Sequence, residues 1–135
     1  MKGKILPVSF FTRSDVAIIA KELLGKCLAT NFDGNLTVLR IVESEAYYGI
    51  VDKASHAYNN RKTNRTKIMY EKGGVAYVYI CYGIHAMFNI VTNIEDTPHA
   101  ILIRAGEPLI GLAKMMERTC KKENDFSISR GPGNV

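Results

Sequence analysis

The chain has 135 residues, 47% of them hydrophobic and 23% charged. This is enough for one small domain with one hydrophobic core, and the balance excludes wholesale disorder. Lys and Arg number 18 against 13 Asp and Glu, leaving a net charge of +5. That excess suits an anionic partner such as nucleic acid or a membrane surface, but it also simply keeps a small domain in solution.

Residues 1 to 11 read as an extended lead-in. The apolar run from Ile5 to Phe11 contains Pro7 and is followed by no small-residue cleavage site, so no signal peptide is expected. Thr12 or Ser14 can cap a helix with Asp15 in its first turn. Val16, Ile19, Ala20, Leu23 and Leu24 then recur at helical spacing, and Gly25 is a left-handed stop. Residues 26 to 31 form a predicted strand, Asp33-Gly34 a hairpin turn, and residues 36 to 46 the returning strand. The run Val38 to Val42 predicts a strand buried on both faces, with Arg40 the exception. Glu43 and Glu45 leave it two residues apart, which puts them on one side.

Periodicity is lost from Tyr48 to Lys72, apart from a short helix expected around residues 65 to 70. Residues 76 to 81 form a predicted strand with Tyr77, Tyr79 and Cys81 on one face, and Gly83 breaks it. Residues 87 to 92 and 100 to 105 are two more strands, separated by a polar turn. Glu107-Pro108 is expected to open a helix, with Leu109, Leu112, Ala113 and Met116 as its apolar stripe. A Gly-Pro-Gly turn at residues 131 to 133 lies near the end of the sequence. Cys27, Cys81 and Cys120 are odd in number and not spaced as a metal clip or redox pair. Cys27 and Cys81 stand in apolar runs and are expected to be buried. A reduced, cytoplasmic setting follows, and no stretch has the length of a membrane span.

The chemistry is concentrated between Glu43 and Asn89. All seven tyrosines fall between Tyr47 and Tyr82. Tyr47, Tyr48, Tyr77, Tyr79 and Tyr82 can stack on a planar ligand, worth roughly 1–3 kcal/mol per base, although tyrosines also suit strands and cores. Tyr82 beside Gly83 at a strand end is harder to place in a core. Arg61, Lys62, Arg65 and Lys67 set four cations in seven residues, able to neutralise phosphates or merely to face water. Glu45, where an apolar strand meets an aromatic loop, is a candidate general base. Glu43 is a candidate second carboxylate of a glycosidase-like pair, about 7 Å away by the strand rise. His56 and His85 lack metal-helix spacing, so no metal site is expected.

The order of these motifs resembles the alkyladenine (3-methyladenine) DNA glycosylase family. The resemblance is carried by Ile-Val-Glu-Ser-Glu-Ala-Tyr-Tyr-Gly at 41 to 49, Ala-Ser-His-Ala-Tyr at 54 to 58 and Arg61-Lys62-Thr63 with Arg65. It continues through Ala-Tyr-Val-Tyr-Ile-Cys-Tyr-Gly-Ile-His at 76 to 85, Asn89-Ile-Val-Thr92 and Ile-Arg-Ala-Gly-Glu-Pro-Leu at 103 to 109. It implies Glu45 as the base that activates the attacking water and Arg104 as the residue that helps position that water. It implies Tyr47, His56, Tyr79 and Asn89 as the pocket for an extruded base, and Tyr82 as the side chain inserted into the duplex. Arg61, Lys62, Arg65 and Lys67 would meet the DNA backbone.

The implied protein is a monofunctional hydrolase of the N-glycosidic bond of alkylated purines, acting as a monomer on double-stranded DNA without metal or organic cofactor. A cytoplasmic, nucleoid-associated setting and no membrane partner go with it. The expected fold is a single mixed α/β (α+β) domain over residues 1–135, a curved, largely antiparallel sheet with flanking helices. Two departures stand out. Ser44 replaces a usual threonine, and family members continue past the Gly-Pro turn with a helix, a further strand and a main-chain carbonyl that helps hold the water. The sequence is thus expected to be a fragment or a natural truncation lacking its C-terminal part, with a catalytically inactive DNA-binding remnant as the alternative.

Overall fold

The computed structural model describes residues 3–122, 125 and 127–135. Its frame is one curled antiparallel sheet of five strands, β1 (Cys27–Phe32), β2 (Asn35–Tyr47), β3 (Ala76–Cys81), β4 (His85–Thr92) and β5 (His99–Ile110), in the order β1-β2-β5-β4-β3. Among the described residues three α-helices accompany it: α1 (Val8–Phe11), α2 (Val16–Leu23) and α3 (Leu112–Thr119). The expected mixed α/β domain is thus the observed one. Among the described residues no helix is long and apolar enough to cross a membrane.

The sheet has a core on each face. Adjacent residues on a strand point to opposite sides, and Ile101 and Ala100 accordingly enter different clusters. On one side Val16, Ile19, Ala20 and Leu23 of α2 pack on Leu39, Ile41, Ile101 and Ile103. Burying each large aliphatic chain contributes about 1.5–3 kcal/mol. On the other side Ala57, Met69 and Tyr70 of the long connection pack on Tyr77, Val91 and Ala100. That connection is the lid of the second core, and it carries His56.

Several expectations are corrected. The lead-in is not wholly extended: Pro7 precedes one helical turn, α1, closed by the Thr12 N–H on the Val8 carbonyl at 3.2 Å. Asp15 is itself the cap of α2, its Oδ1 accepting from Ala17 N at 2.9 Å and Ile18 N at 3.0 Å. Leu24 follows the helix and is exposed. Cys27 is exposed and Cys81 half-buried, because both lie on edge strands, where one face of an apolar run is open. Val42 is exposed as well, so β2 is not buried on both faces.

The largest correction is at Glu107-Pro108. No helix starts there. β5 continues to Ile110, with Glu107 opposite Arg40 and Pro108 opposite Leu39. The register shifts between Val38 and Leu39, and a proline, having no N–H to give, is tolerated at such a bulge. The turn comes at Gly111, with φ +80, where a Cβ would lie 2.5 Å from the Leu36 carbonyl oxygen. In α3 it is Met115 that packs on the main core. Near the end, Ser129 and Arg130 lie along β5. The Gly106 N–H donates to the Ser129 carbonyl at 2.9 Å, and Ala105 bridges Arg130.

Candidate active site

β2 and β5 are out of regular register where the site lies. Ile41 faces Gly106, Glu43 faces Ala105, and Ser44 faces Ile103, with shifts on both sides of Glu43. Val42 on β2 and Arg104 on β5 are left without partners in the ladder. Bulges of this kind re-aim side chains. Arg104 Nη1 donates to Glu45 Oε2 at 2.7 Å, and the Tyr47 hydroxyl donates to Glu45 Oε1 at 2.9 Å. Both carboxylate oxygens of Glu45 are therefore held. Burial first, and then the bond to Glu45, pushes the Tyr47 phenol well above its usual range, so at neutral pH it remains a donor. Glu43, by contrast, is exposed and is in no ion pair among the described residues.

Tyr47 also lines a small aromatic pocket. Tyr47, Ser55, His56, Tyr77, Tyr79, Asn89 and Ala100 line it, and its volume is about 30 Å³. That is room for water rather than a purine. The His56 and Tyr79 rings meet edge-on at 4.5 Å, and Tyr77 and Tyr79 lie 5.6 Å apart. His56 Nδ1 is 3.0 Å from the Tyr77 hydroxyl. Burial, followed by the charges of Arg65 and Arg61, holds His56 below the ordinary histidine value, so its imidazole is neutral. Asn89 is buried and gives its amide nitrogen to the carbonyls of Tyr77 and Met87 at 3.2 and 3.3 Å. The loop bearing His56 is braced by Asp52, which accepts from Ala54 N at 2.9 Å and Tyr48 N at 3.2 Å.

Tyr82 tops the hairpin between β3 and β4. The pair Cys81–His85 closes the loop, and Tyr82 has φ +51 with 92% of its surface exposed. A bulky residue in the left-handed region is strained, and such strain gathers at functional sites. The basic loop does not form one uniform patch. Lys62 lies 3.3 Å from Asp96 and over the Tyr70 ring at 4.8 Å. Arg65 sits over the Tyr79 ring at 5.1 Å. Arg61 and Lys67 are exposed and enter no ion pair among the described residues.

A sequence profile of the family described as Methylpurine-DNA glycosylase (MPG) matches residues 9–135. The chain belongs to the methylpurine-DNA glycosylase family. A relative from Chlamydia abortus is 49% identical over 132 residues, 97% of this chain and 70% of its own length. One from Natranaerobius thermophilus is 46% identical, covering 96% of this chain and 66% of the relative. One from Borreliella afzelii is 51% identical over 126 residues, 93% of this chain and 63% of the relative. Each bears the name "Putative 3-methyladenine DNA glycosylase".

In this methylpurine-DNA glycosylase family member, Glu45, Arg104 and Tyr47 meet directly, and Tyr47, His56, Tyr79 and Asn89 line one pocket. Tyr82 stands apart at the hairpin tip. Of the four basic residues, Lys62 and Arg65 are seated on different rings, Tyr70 and Tyr79. Tyr77, read from the sequence as one of five tyrosines able to stack on a planar ligand, is given no separate role by the family resemblance, yet it lines the pocket. Its alternation with Tyr79 is legible, but its bond to His56 joins residues 21 apart in sequence. Ser55 is also hidden: it is buried, and its Oγ accepts from Ala57 N at 3.2 Å.

Proposed function

We propose that this protein hydrolyses the N-glycosidic bond of alkylated purines of the 3-methyladenine type in double-stranded DNA, with water as nucleophile. The observation that carries the reading is a carboxylate, Glu45, fixed through both oxygens by Arg104 and by Tyr47, which itself lines an aromatic pocket. A base must leave the stack before its bond to the sugar can be reached, at a cost of a few kcal/mol that is least for damaged bases. Tyr82, exposed at the hairpin tip, takes the vacated place in the duplex. Tyr79 and His56 part to admit the base, since the pocket at rest has no room for it.

An alkylated purine carries positive charge and is already a good leaving group. The aromatic rings favour that charge, and a neutral His56 adds no second cation beside it. Glu45 accepts a proton from water as the water oxygen bonds to the sugar C1′. The C–N bond breaks, and its electron pair leaves with the base. Arg104 keeps Glu45 oriented through the bond to its Oε2. Arg61, Lys62, Arg65 and Lys67 neutralise phosphates and carry no sequence information.

Glu45→Gln tests this. Excision of an alkylated adenine from a duplex is expected to fall by about 10²–10⁴-fold, the usual contribution of a general base. Affinity for the lesion should stay within a few-fold of wild type. Excision retained by the variant would remove Glu45 from the reaction.

A further inference from the structure

Tyr77 and Tyr79 each line two recesses. One is the small pocket with His56 and Asn89. The other is an open groove of about 640 Å³ along the free edge of β3, lined by Asn64, Arg65 and Ile68 of the basic loop together with the strand itself. Arg65 lines this groove and not the pocket. Its guanidinium carbon is 5.1 Å from the centre of the Tyr79 ring. A cation thus rests against an aromatic ring that also lines the pocket.

We propose that Arg65 is a specificity-determining residue: a positive charge held over the ring of Tyr79 lowers the pocket's preference for positively charged purines over neutral ones. The inference rests on the glycosylase reading above. An aromatic ring attracts a cation to its face, and two cations against one ring repel each other. A neutral purine stacks there without that cost. A pocket of bare tyrosines would favour cationic lesions strongly, and Arg65 narrows the difference. The charge of Arg65 does reach the pocket, because it helps hold His56 in its uncharged form. Arg65 is exposed, so solvent limits the effect to several-fold rather than orders of magnitude.

The test uses the full chain and duplexes that cannot be cleaved. One carries a central 2′-fluoro-7-methylguanosine, which is cationic, and the other a 2′-fluoroinosine, which is neutral. Each affinity is taken relative to an undamaged duplex. In Arg65→Gln the ratio of cationic to neutral affinity is expected to rise by about fivefold, and in Arg65→Lys to stay within about twofold of wild type, because the charge is kept. The His56 imidazole, followed by NMR, should titrate at higher pH in Arg65→Gln. An unchanged ratio, with both affinities lowered and the salt slope shallower by about one, would leave Arg65 its phosphate contact alone and overturn the proposal. An unmoved His56 titration would overturn it too. A wild-type chain with no preference for either lesion over undamaged DNA would sink the glycosylase reading itself, which is a separate and recognisable result.

Discussion

The Tyr77 hydroxyl lies 3.0 Å from His56 Nδ1 and ties the second core of the sheet to the wall of the pocket. The two residues come from different structures, a regular strand and an irregular loop. Tyr77→Phe keeps the ring and removes the bond. Stability should drop by about 1 kcal/mol, as for one lost hydrogen bond. Excision should drop by about tenfold, because His56 is then free to turn. Chemical denaturation and single-turnover excision measure the two effects. Unchanged excision with lowered stability would leave the bond a structural role only.

His56 and His99 are both held below the ordinary histidine value, in each case chiefly by burial. Arg65 and Arg61 push His56 further down, whereas Asp15 pulls His99 back up. The folded chain therefore binds protons less readily than the unfolded one, whose histidines titrate near about 6.5. The corresponding stability is fully present above that value and is lost as pH falls below it. Thermal melts from pH 8 to pH 5 should show a falling Tm. Replacing both histidines by Gln should flatten the slope in that window. A slope unaltered by both replacements would assign the loss to other groups.

Tyr82 is strained by its φ of +51 and is almost wholly exposed. Tyr82→Gly should therefore stabilise the fold, by up to about 1 kcal/mol, since glycine adopts this conformation freely. The same change should abolish the fluorescence rise of a 2-aminopurine placed beside a lesion, which reports unstacking. A variant more stable than wild type yet unable to open the duplex would separate the cost of the wedge from its use. Unstacking equal to wild type would remove Tyr82 from that role.

Asp15 caps α2, and α2 is one wall of the main core. Asp15→Ala should cost about 0.5–2 kcal/mol, read by urea unfolding, with excision per folded molecule unchanged. A lowered turnover of the folded fraction would show that α2 also sets the site, through the Ser44 Oγ bond to the Ala20 carbonyl at 2.9 Å.

Local chemistry accounts for what the sequence discloses. Asp33-Gly34 is a hairpin turn with φ of +52 and +76, and the alternation of Tyr77 and Tyr79 puts both on the pocket side. Gly25 stops α2 as its position suggests, with φ +80. What stays hidden depends on partners distant in sequence. Pro108 looks like a helix start because nothing nearby reveals the bulge opposite Val38 and Leu39 that accommodates it. Arg104 looks like one more strand residue, and only the register between β2 and β5 shows that it is unpaired and free to reach Glu45. The seating of Arg65 on Tyr79 is equally invisible, since a run of cations gives no sign of which member finds a ring.

The contact of Ser129 and Arg130 with β5 links the site to the last residues described. Ala105, next to Arg104, lies between Glu43 of β2 and Arg130. The Gly106–Ser129 bonds span 23 residues of chain, and neither residue belongs to either core cluster. Such an attachment can open locally while the sheet stays intact. The first cooperative unit to come loose on warming would then be the one that steadies the arginine. Catalytic competence would have a lower melting point than the domain, and amide exchange at Gly106 would report the former.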